Sequence, residues 1–410
     1  MKSNAIVGQS GGPTAAINAT LAGIIRGAFK NAEIDKIYGM RNGIQGFLNG
    51  NITELNEIFK NEKILQVLKN TPSAALGSCR FKLPDIVSGD KKDNEIYEKI
   101  FSSLAEKNIK YFFYIGGNDS MDTVKKLSRY AEKNTIDVNI IGVPKTIDND
   151  LNGTDHAPGY GSAAKYIAAT MQEICHDTAI YPIKSIVIAE IMGRDAGWLT
   201  ASAALPRLYG GKSPELLYLP EVEFSNERFF EDIKIALEKS DSVVIAVSEG
   251  IKYADGRYIC EYENHETDIF GHKQLSGTAA RLKFIAQEKF NCKIRAVELN
   301  TPQRCASHIA SLRDLNEAED IGIKAVEAAA EGKTSVMMIF KRVSAEPYKA
   351  EIDCKDIADI VDKIKTVPAG YITASKNNVT DECLKYIAPL IAGEPEIIYH
   401  DGIPEFFSFD

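Results

Sequence analysis

Two short stretches do most to constrain what this chain can become. They are Tyr111-Phe-Phe-Tyr-Ile-Gly-Gly-Asn-Asp-Ser120 and Val143-Pro-Lys-Thr-Ile-Asp-Asn-Asp150. The first is an apolar run ending in paired glycines, the pattern of a buried strand entering a tight turn. Glycine lets backbone approach a ligand closely, and the amides at the start of a following helix favour an anion. The second follows an apolar stretch, Asn139 to Val143, that reads as another strand. It sets Asp148 and Asp150 two residues apart with Lys145 close by. Two carboxylates and an ammonium at a strand end suit phosphoryl transfer: one acid takes a proton, another holds a metal, and the lysine neutralises phosphate. Asp-Asn-Asp is also a common turn composition.

The rest of the chain alternates in the same way. Asn4 to Val7 is a short apolar strand, followed by Gly8-Gln-Ser-Gly-Gly-Pro13 and a helical pattern from Thr14 to about Phe29. The turn lacks the third glycine of a dinucleotide fingerprint, which disfavours a dinucleotide-dependent oxidoreductase. A phosphate loop and a plain tight turn both fit it. Ile37 to Gly43 reads as a strand and turn, with Tyr38 either beside a ligand or in the core. Asn94 to Lys107 reads as an amphipathic helix. Pro158 opens a helix to about His176, in which Gly161, Ser162 and Lys165 suit either an anion or helix capping. Lys184 to Ile191 and Asp241 to Gly250 are further strands, and a helix after Asp314 leads to a strand at Ser335 to Phe340. The stretch from about Ser344 has mixed polarity and no assignable chemistry. Alternation with site residues at strand ends predicts an α/β fold, with mainly parallel sheets covered on both faces and a cleft at their carboxyl ends.

Gly116-Gly-Asn-Asp-Ser120, Pro144-Lys-Thr-Ile-Asp-Asn-Asp150 and Met192-Gly-Arg194, in that order and spacing, resemble the signature of the phosphofructokinase family. The resemblance runs from about Asn4 to about Arg313. It implies two Rossmann-like three-layer domains: residues 1–160 plus about 300–342 for the phosphoryl donor, and 161–299 plus about 343–410 for the sugar phosphate. It implies that Asp148 takes the proton from the 1-hydroxyl of fructose 6-phosphate, with Asp150 supporting it and Thr146 touching the sugar or the moving phosphate. Gly11, Gly12, Arg80 and Gly117 would contact the donor. Met192, Gly193, Arg194, Glu249, Arg295 and Arg304 would bind the sugar phosphate, guanidinium forks suiting phosphate better than ammonium. Lys184 falls near a position that reaches the substrate of a neighbouring subunit.

The same resemblance addresses the donor. ATP users in the family carry glycine where this chain has Asp119 and Lys145; pyrophosphate users carry aspartate and lysine. A carboxylate at Asp119 would crowd and repel a nucleotide α-phosphate, and Lys145 supplies compensating charge. Diphosphate is therefore the expected donor, with an ATP-dependent phosphofructokinase and a non-catalytic sugar-phosphate-binding subunit as alternatives. Magnesium is the implied cofactor, with Asp119 and Asn118 as its ligands, although Asn118 replaces the family's usual aspartate and is a weaker partner for a hard dication. Thr301 stands where many members have histidine. A homodimer or homotetramer is implied.

Composition narrows the class further. A net charge of −9 argues against a general nucleic-acid binder. Seven scattered cysteines show no zinc spacing and suggest no disulfide framework. With no signal sequence before the first strand and no membrane-length apolar run, the cytoplasm is the expected compartment.

Overall fold

The computed structural model describes residues 2–86, 91–260, 277–361 and 363–409. The chain begins β1 (Ser3–Gln9), α1 (Ile17–Lys30), β2 (Ile34–Met40), α2 (Gly43–Leu48), β3 (Ile52–Glu54), α3 (Glu62–Asn70) and α4 (Lys91–Glu106). Then come β4 (Ile109–Gly116), α5 (Asn118–Lys133), β5 (Asn139–Pro144), α6 (Tyr160–Thr178), β6 (Ser185–Ile191), α7 (Trp198–Ser202) and β7 (Leu216–Tyr218). The remainder is α8 (Asn226–Lys239), β8 (Ser242–Ser248), α9 (Thr278–Gln287), β9 (Lys293–Glu298), α10 (Pro302–Cys305), α11 (Leu312–Ala330), β10 (Val336–Ala345), β11 (Tyr348–Asp356), α12 (Asp381–Ile387) and a short hairpin, β12 (Tyr399–His400) with β13 (Ile403–Pro404).

Two mainly parallel sheets organise these elements. The larger has the order β11-β10-β5-β4-β1-β2-β3, with antiparallel pairs only at its edges, and the smaller has the order β7-β8-β6-β9. Their apolar strands are continuous because both faces are covered. Along β4, Tyr111, Phe113 and Ile115 face a core made with α1, α3 and α11, while Phe112 and Tyr114 face a second core made with α2, α4 and α5. The smaller sheet repeats the scheme: Ile186, Ile188 and Ile245 pack on α8 and α9, and Val187, Ala189 and Ala246 on α6, α7 and α12.

The expected α/β architecture is thus present, with differences at element ends. The first helix starts at Ile17, three residues later than its periodicity predicts, because Pro13 and Thr14 are used in the preceding turn, where the Thr14 hydroxyl accepts from the Ala16 N–H at 3.2 Å. The stretch after Ser344, which gave no periodic signal, contributes β11 to the edge of the larger sheet and α12 to the core of the smaller one. Tyr38 packs at the border of a core and is not among the residues lining the cleft described below. Among the described residues no helix is long and apolar enough to cross a membrane.

The α1–α11 contact permits very close backbone approach. A Cβ placed on Gly23 would lie 2.0 Å from the Glu319 carbonyl oxygen, and one on Gly322 would lie 2.4 Å from that of Thr20. Overpacking of this kind costs about 1–3 kcal/mol, and here the obstructing atom is backbone that cannot rotate away. Gly23→Ala is expected to lower stability by at least about 1–3 kcal/mol in chemical denaturation. An unchanged midpoint would show that the helices separate freely.

Candidate active site

Six strands deliver their carboxyl ends to one place. β1 leads to Gly11 and Gly12, β4 to Gly117 and the first turn of α5, and β5 to Lys145 through Asp150. From the smaller sheet, β6 leads to Met192 and Arg194, β8 to Glu249, and β9 to the short helix carrying Arg304. Each of these segments lines a single cleft of about 1200 Å³. Arg80 reaches it from the loop before α4, and Asp119 from α5; both are solvent-exposed.

Lys145 sits at the junction. Its side chain is 2% exposed, and its ammonium donates to the Gly12 carbonyl at 2.6 Å, joining the β1 and β5 loops. Burial draws its pKa down to about 8, with Arg304 pushing the same way, while Asp148 and Asp150 hold it up. Asp148 moves in the opposite direction. Burial, then the charges of Asp150 and Glu249, raise its carboxyl to about 7 against the pull of Lys145 and Arg194. Glu249 is also raised to about 7, chiefly by burial, although its Oε1 accepts the Gly193 N–H at 3.3 Å. Burial raises Asp150 too, opposed by Lys365 and by the Thr146 hydroxyl. Two carboxyls poised near neutrality beside two guanidinium groups form an arrangement suited to proton transfer next to a phosphate.

Local geometry explains how the acids are aimed. Thr146 Oγ1 accepts the Asp148 N–H at 3.1 Å, and Asn118 Nδ2 donates to Asp150 Oδ2 at 2.8 Å. Asn149 adopts the left-handed conformation (φ 53°), which asparagine tolerates better than most residues, so the chain turns between the two aspartates. Met192 is fixed by its N–H donating to Gln303 Oε1 at 3.0 Å. Gly193 lies at φ 134°, with its carbonyl accepting from the Ser248 hydroxyl. The Arg304 Nε is buried with no hydrogen-bond partner among the described residues, an orphan donor beside a cleft.

Other expected positions fall elsewhere. Arg295 lies on β9 outside the cleft, exposed and 3.7 Å from Asp177, next to Tyr181 and Ile183. Lys184 is exposed as well. The start of α6 has no room for a ligand: the Asp314 carboxylate accepts from the Gly159 and Ser162 N–H groups, each at 2.9 Å, and from the Ser162 hydroxyl at 2.5 Å. A Cβ on Gly161 would lie 2.4 Å from the Leu390 carbonyl oxygen. Lys165 donates to the Ala310 and Gly393 carbonyls and pairs with Glu394. The helix has no side-chain N-cap of its own, and its first N–H groups are taken by the carboxylate of Asp314 on α11.

Two half-buried groups escaped the sequence reading. The Glu221 carboxylate accepts from Gly197 and Val367 N–H groups at 2.9 and 2.8 Å, tying the Arg194 loop to the tail. Lys365 packs under the Asp148–Asp150 turn. Neither carries a local motif, and only the three-dimensional path of the tail brings Lys365 here.

Comparisons with known proteins find relatives along nearly the whole chain. The family model for phosphofructokinase matches residues 4–329. The chain is 37% identical over 405 residues to a pyrophosphate–fructose 6-phosphate 1-phosphotransferase of Halomonas elongata, covering 98% of this chain and 95% of that one. A solved structure of a pyrophosphate-dependent phosphofructokinase from Nitrosospira multiformis superposes with a TM-score of 0.88 at 34% identity, covering 99% of this chain and 96% of that one. A second, from Marinobacter aquaeolei, gives 0.85 at 34% identity, with coverage of 99% and 95%.

Because the folded state raises the Asp148 pKa, it favours the protonated carboxyl. The stability this confers is complete near pH 4 and is lost as pH rises through about 7. Asp148→Asn is therefore expected to stabilise the unliganded protein at pH 8, by on the order of 2–4 kcal/mol, with the gain vanishing toward pH 4. Thermal or denaturant unfolding at the two pH values checks this, and an equal effect at both would contradict it.

Proposed function

Because the chain belongs to the phosphofructokinase family, we propose that it transfers a phosphoryl group from diphosphate to the 1-hydroxyl of fructose 6-phosphate. The products are fructose 1,6-bisphosphate and phosphate, as part of glycolysis. The observation that carries this reading is Lys145: a buried ammonium bonded to the Gly12 carbonyl, next to Asp148, with Asp119 lining the same cleft. Near-full-length similarity to pyrophosphate users supports the same donor.

In this mechanism Asp148 accepts the proton from the sugar hydroxyl as that oxygen attacks phosphorus. A carboxyl near pKa 7 suits this task better than an ordinary aspartate, since it is available as a base at neutral pH and retains enough basicity to hold the proton. Lys145 balances charge on the donor without the entropy of an exposed lysine. Arg194 and Arg304 engage the sugar phosphate, and Glu249 accepts hydrogen bonds from its hydroxyls. Gly11, Gly12 and Arg80 hold the donor on the larger-sheet side, so each sheet presents one substrate and closure excludes water, a competing nucleophile.

Magnesium fits the residues present. It keeps several waters and binds through one or two carboxylates plus substrate phosphate, so the lack of a denser ligand cluster among the described residues is compatible with it. Asp119 and Asn118 would hold it, with Asp150 beside Asn118. When bound it supplies charge neutralisation to the phosphate oxygens, and chelation is expected to abolish turnover.

Exposed Ile180, Tyr181 and Ile183 adjoin Arg295 and Lys184. This supports a homodimer or homotetramer in which that face meets a second copy; a single-chain mass in light scattering would remove it. Seven free cysteines, four of them buried, suit the cytoplasm.

The volume of the cleft, above the roughly 300–1,000 Å³ of drug-sized sites, keeps an ATP-dependent reaction as the second reading. Assays with each donor decide between them: turnover is expected with diphosphate, and turnover with ATP alone would reverse the assignment. Asp119→Gly and Lys145→Gly are each expected to depress diphosphate use severely. Asp148→Asn is expected to lower kcat by about 10²- to 10⁴-fold while sugar-phosphate binding persists. Turnover close to that of the parent would take Asp148 out of the mechanism, and no turnover in the parent would favour a binding subunit.

A further inference from the structure

The family match ends at residue 329, yet Val361, Lys363 and Ile364 form part of the wall of the catalytic cleft. The chain reaches this position by pairing with the segment that bears the two acids. Ile364 bridges Leu151 in antiparallel fashion, and the Lys365 N–H donates to the Asp150 carbonyl at 2.8 Å. The Lys365 side chain then turns beneath the same loop. Its ammonium donates to Asn149 Oδ1 at 3.0 Å and to the carbonyls of Asp155 and Thr154 at 2.7 and 3.3 Å. From the opposite side, Trp198 Nε1 donates to the Lys365 carbonyl at 3.0 Å, and its ring centroid lies 5.4 Å from the ammonium.

We propose that Lys365 is a positioning residue for phosphoryl transfer, holding the left-handed turn at Asn149 and so the aim of Asp148 and Asp150. Three acceptors use all three N–H bonds of an ammonium, whereas a neutral amine has only two to offer. The ammonium is therefore the form that completes this network. Asn149 is fully buried, and its one side-chain oxygen is shared between Lys365 and the Ala157 N–H at 3.1 Å. Withdrawing the lysine would leave the Asn149 oxygen with the Ala157 N–H as its one donor, and its amide with a long 3.5 Å contact to the Tyr386 hydroxyl. The remaining charged and titratable groups around Lys365 are Asp150, Asp155, Arg342 and Tyr386. Burial lowers its pKa to about 7, Asp155 and Asp150 oppose this, and Arg342 adds to it. Asp155 is engaged elsewhere, pairing with His156 at 2.9 Å and with Arg342 at 3.0 Å.

This inference rests on the proposed reaction, and its test uses that reaction in the full-length protein. Lys365→Met retains length without charge, and Lys365→Arg retains charge. Misplacement of reacting groups by about 1 Å can cost 10²-fold. Lys365→Met is expected to lower kcat by about 10- to 100-fold, with the KM for fructose 6-phosphate changing less than about threefold. Lys365→Arg should recover part of kcat. A kcat within threefold of the parent for Lys365→Met, a KM rise that matches the kcat loss, or no recovery by arginine overturns the proposal. Should Lys365→Met fail to fold, Trp198→Phe removes the indole N–H that anchors Lys365 but keeps a ring. A smaller kcat loss, again with the KM for fructose 6-phosphate little changed, is expected there, and an unchanged kcat overturns the proposal. Parent protein active with ATP and inactive with diphosphate would overturn only the donor, and the Lys365 comparison would then be read with ATP.

Discussion

Everything in the cleft depends on one buried ammonium. Lys145 lies where the loops after β1 and β5 meet, and its hydrogen bond to Gly12 fastens one to the other. An isolated cation in that position would be expelled or neutralised by its desolvation cost. It stays because two carboxylates lie close enough to keep it charged, and Asp148 in turn bears its burial with help from the Lys145 charge. The cluster is consequently a set of mutual dependencies. Its members sit near neutrality as a group, with Lys145 drawn down toward 8 and Asp148 and Glu249 raised toward 7. That is the range in which a proton moves at little cost in either direction.

Around this cluster, backbone does the aiming. The left-handed Asn149 reverses the chain between the aspartates, Thr146 fixes the first and Asn118 the second. These contacts are local in sequence or come from the neighbouring strand, so they form together with the strands that carry them. Positions that the sequence offers for anion or phosphate binding are not all equivalent here. Gly161 and Ser162 are spent on seating α6 against Asp314, a carboxylate held by two N–H groups and a hydroxyl. Arg295 faces Asp177 on an outer surface.

Much of this was legible in the sequence, for reasons that can be assigned. The strand Tyr111 to Ile115 is recognisable because burial on both faces makes it continuously apolar, and Gly116 and Gly117 mark its end. Asp148, Lys145 and Asn118 lie within a few residues of strand ends, so a reading of strands nearly suffices to place them. Lys365 could not be found that way. Its neighbours Ile364 and Val367 give no period, and its significance depends on a chain reversal more than two hundred residues from Asn149. The same is true of Glu221, a lone acid whose partners are backbone N–H groups of two distant loops. Sequence patterns report what a residue's own element does, and these two act on elements other than their own.

The route of the chain between the two sheets has a further consequence. It leaves the larger sheet after β5, returns at β10, leaves again after β11 to pack α12 on the smaller sheet, and ends with Phe407 and Phe409 against Phe59 in the first half. The halves are laced together by several separate strands of backbone, not joined by one linker. A protease that severed any single crossing would leave the others in place, so the pieces would remain associated. Any widening of the cleft must therefore bend all the crossings at once.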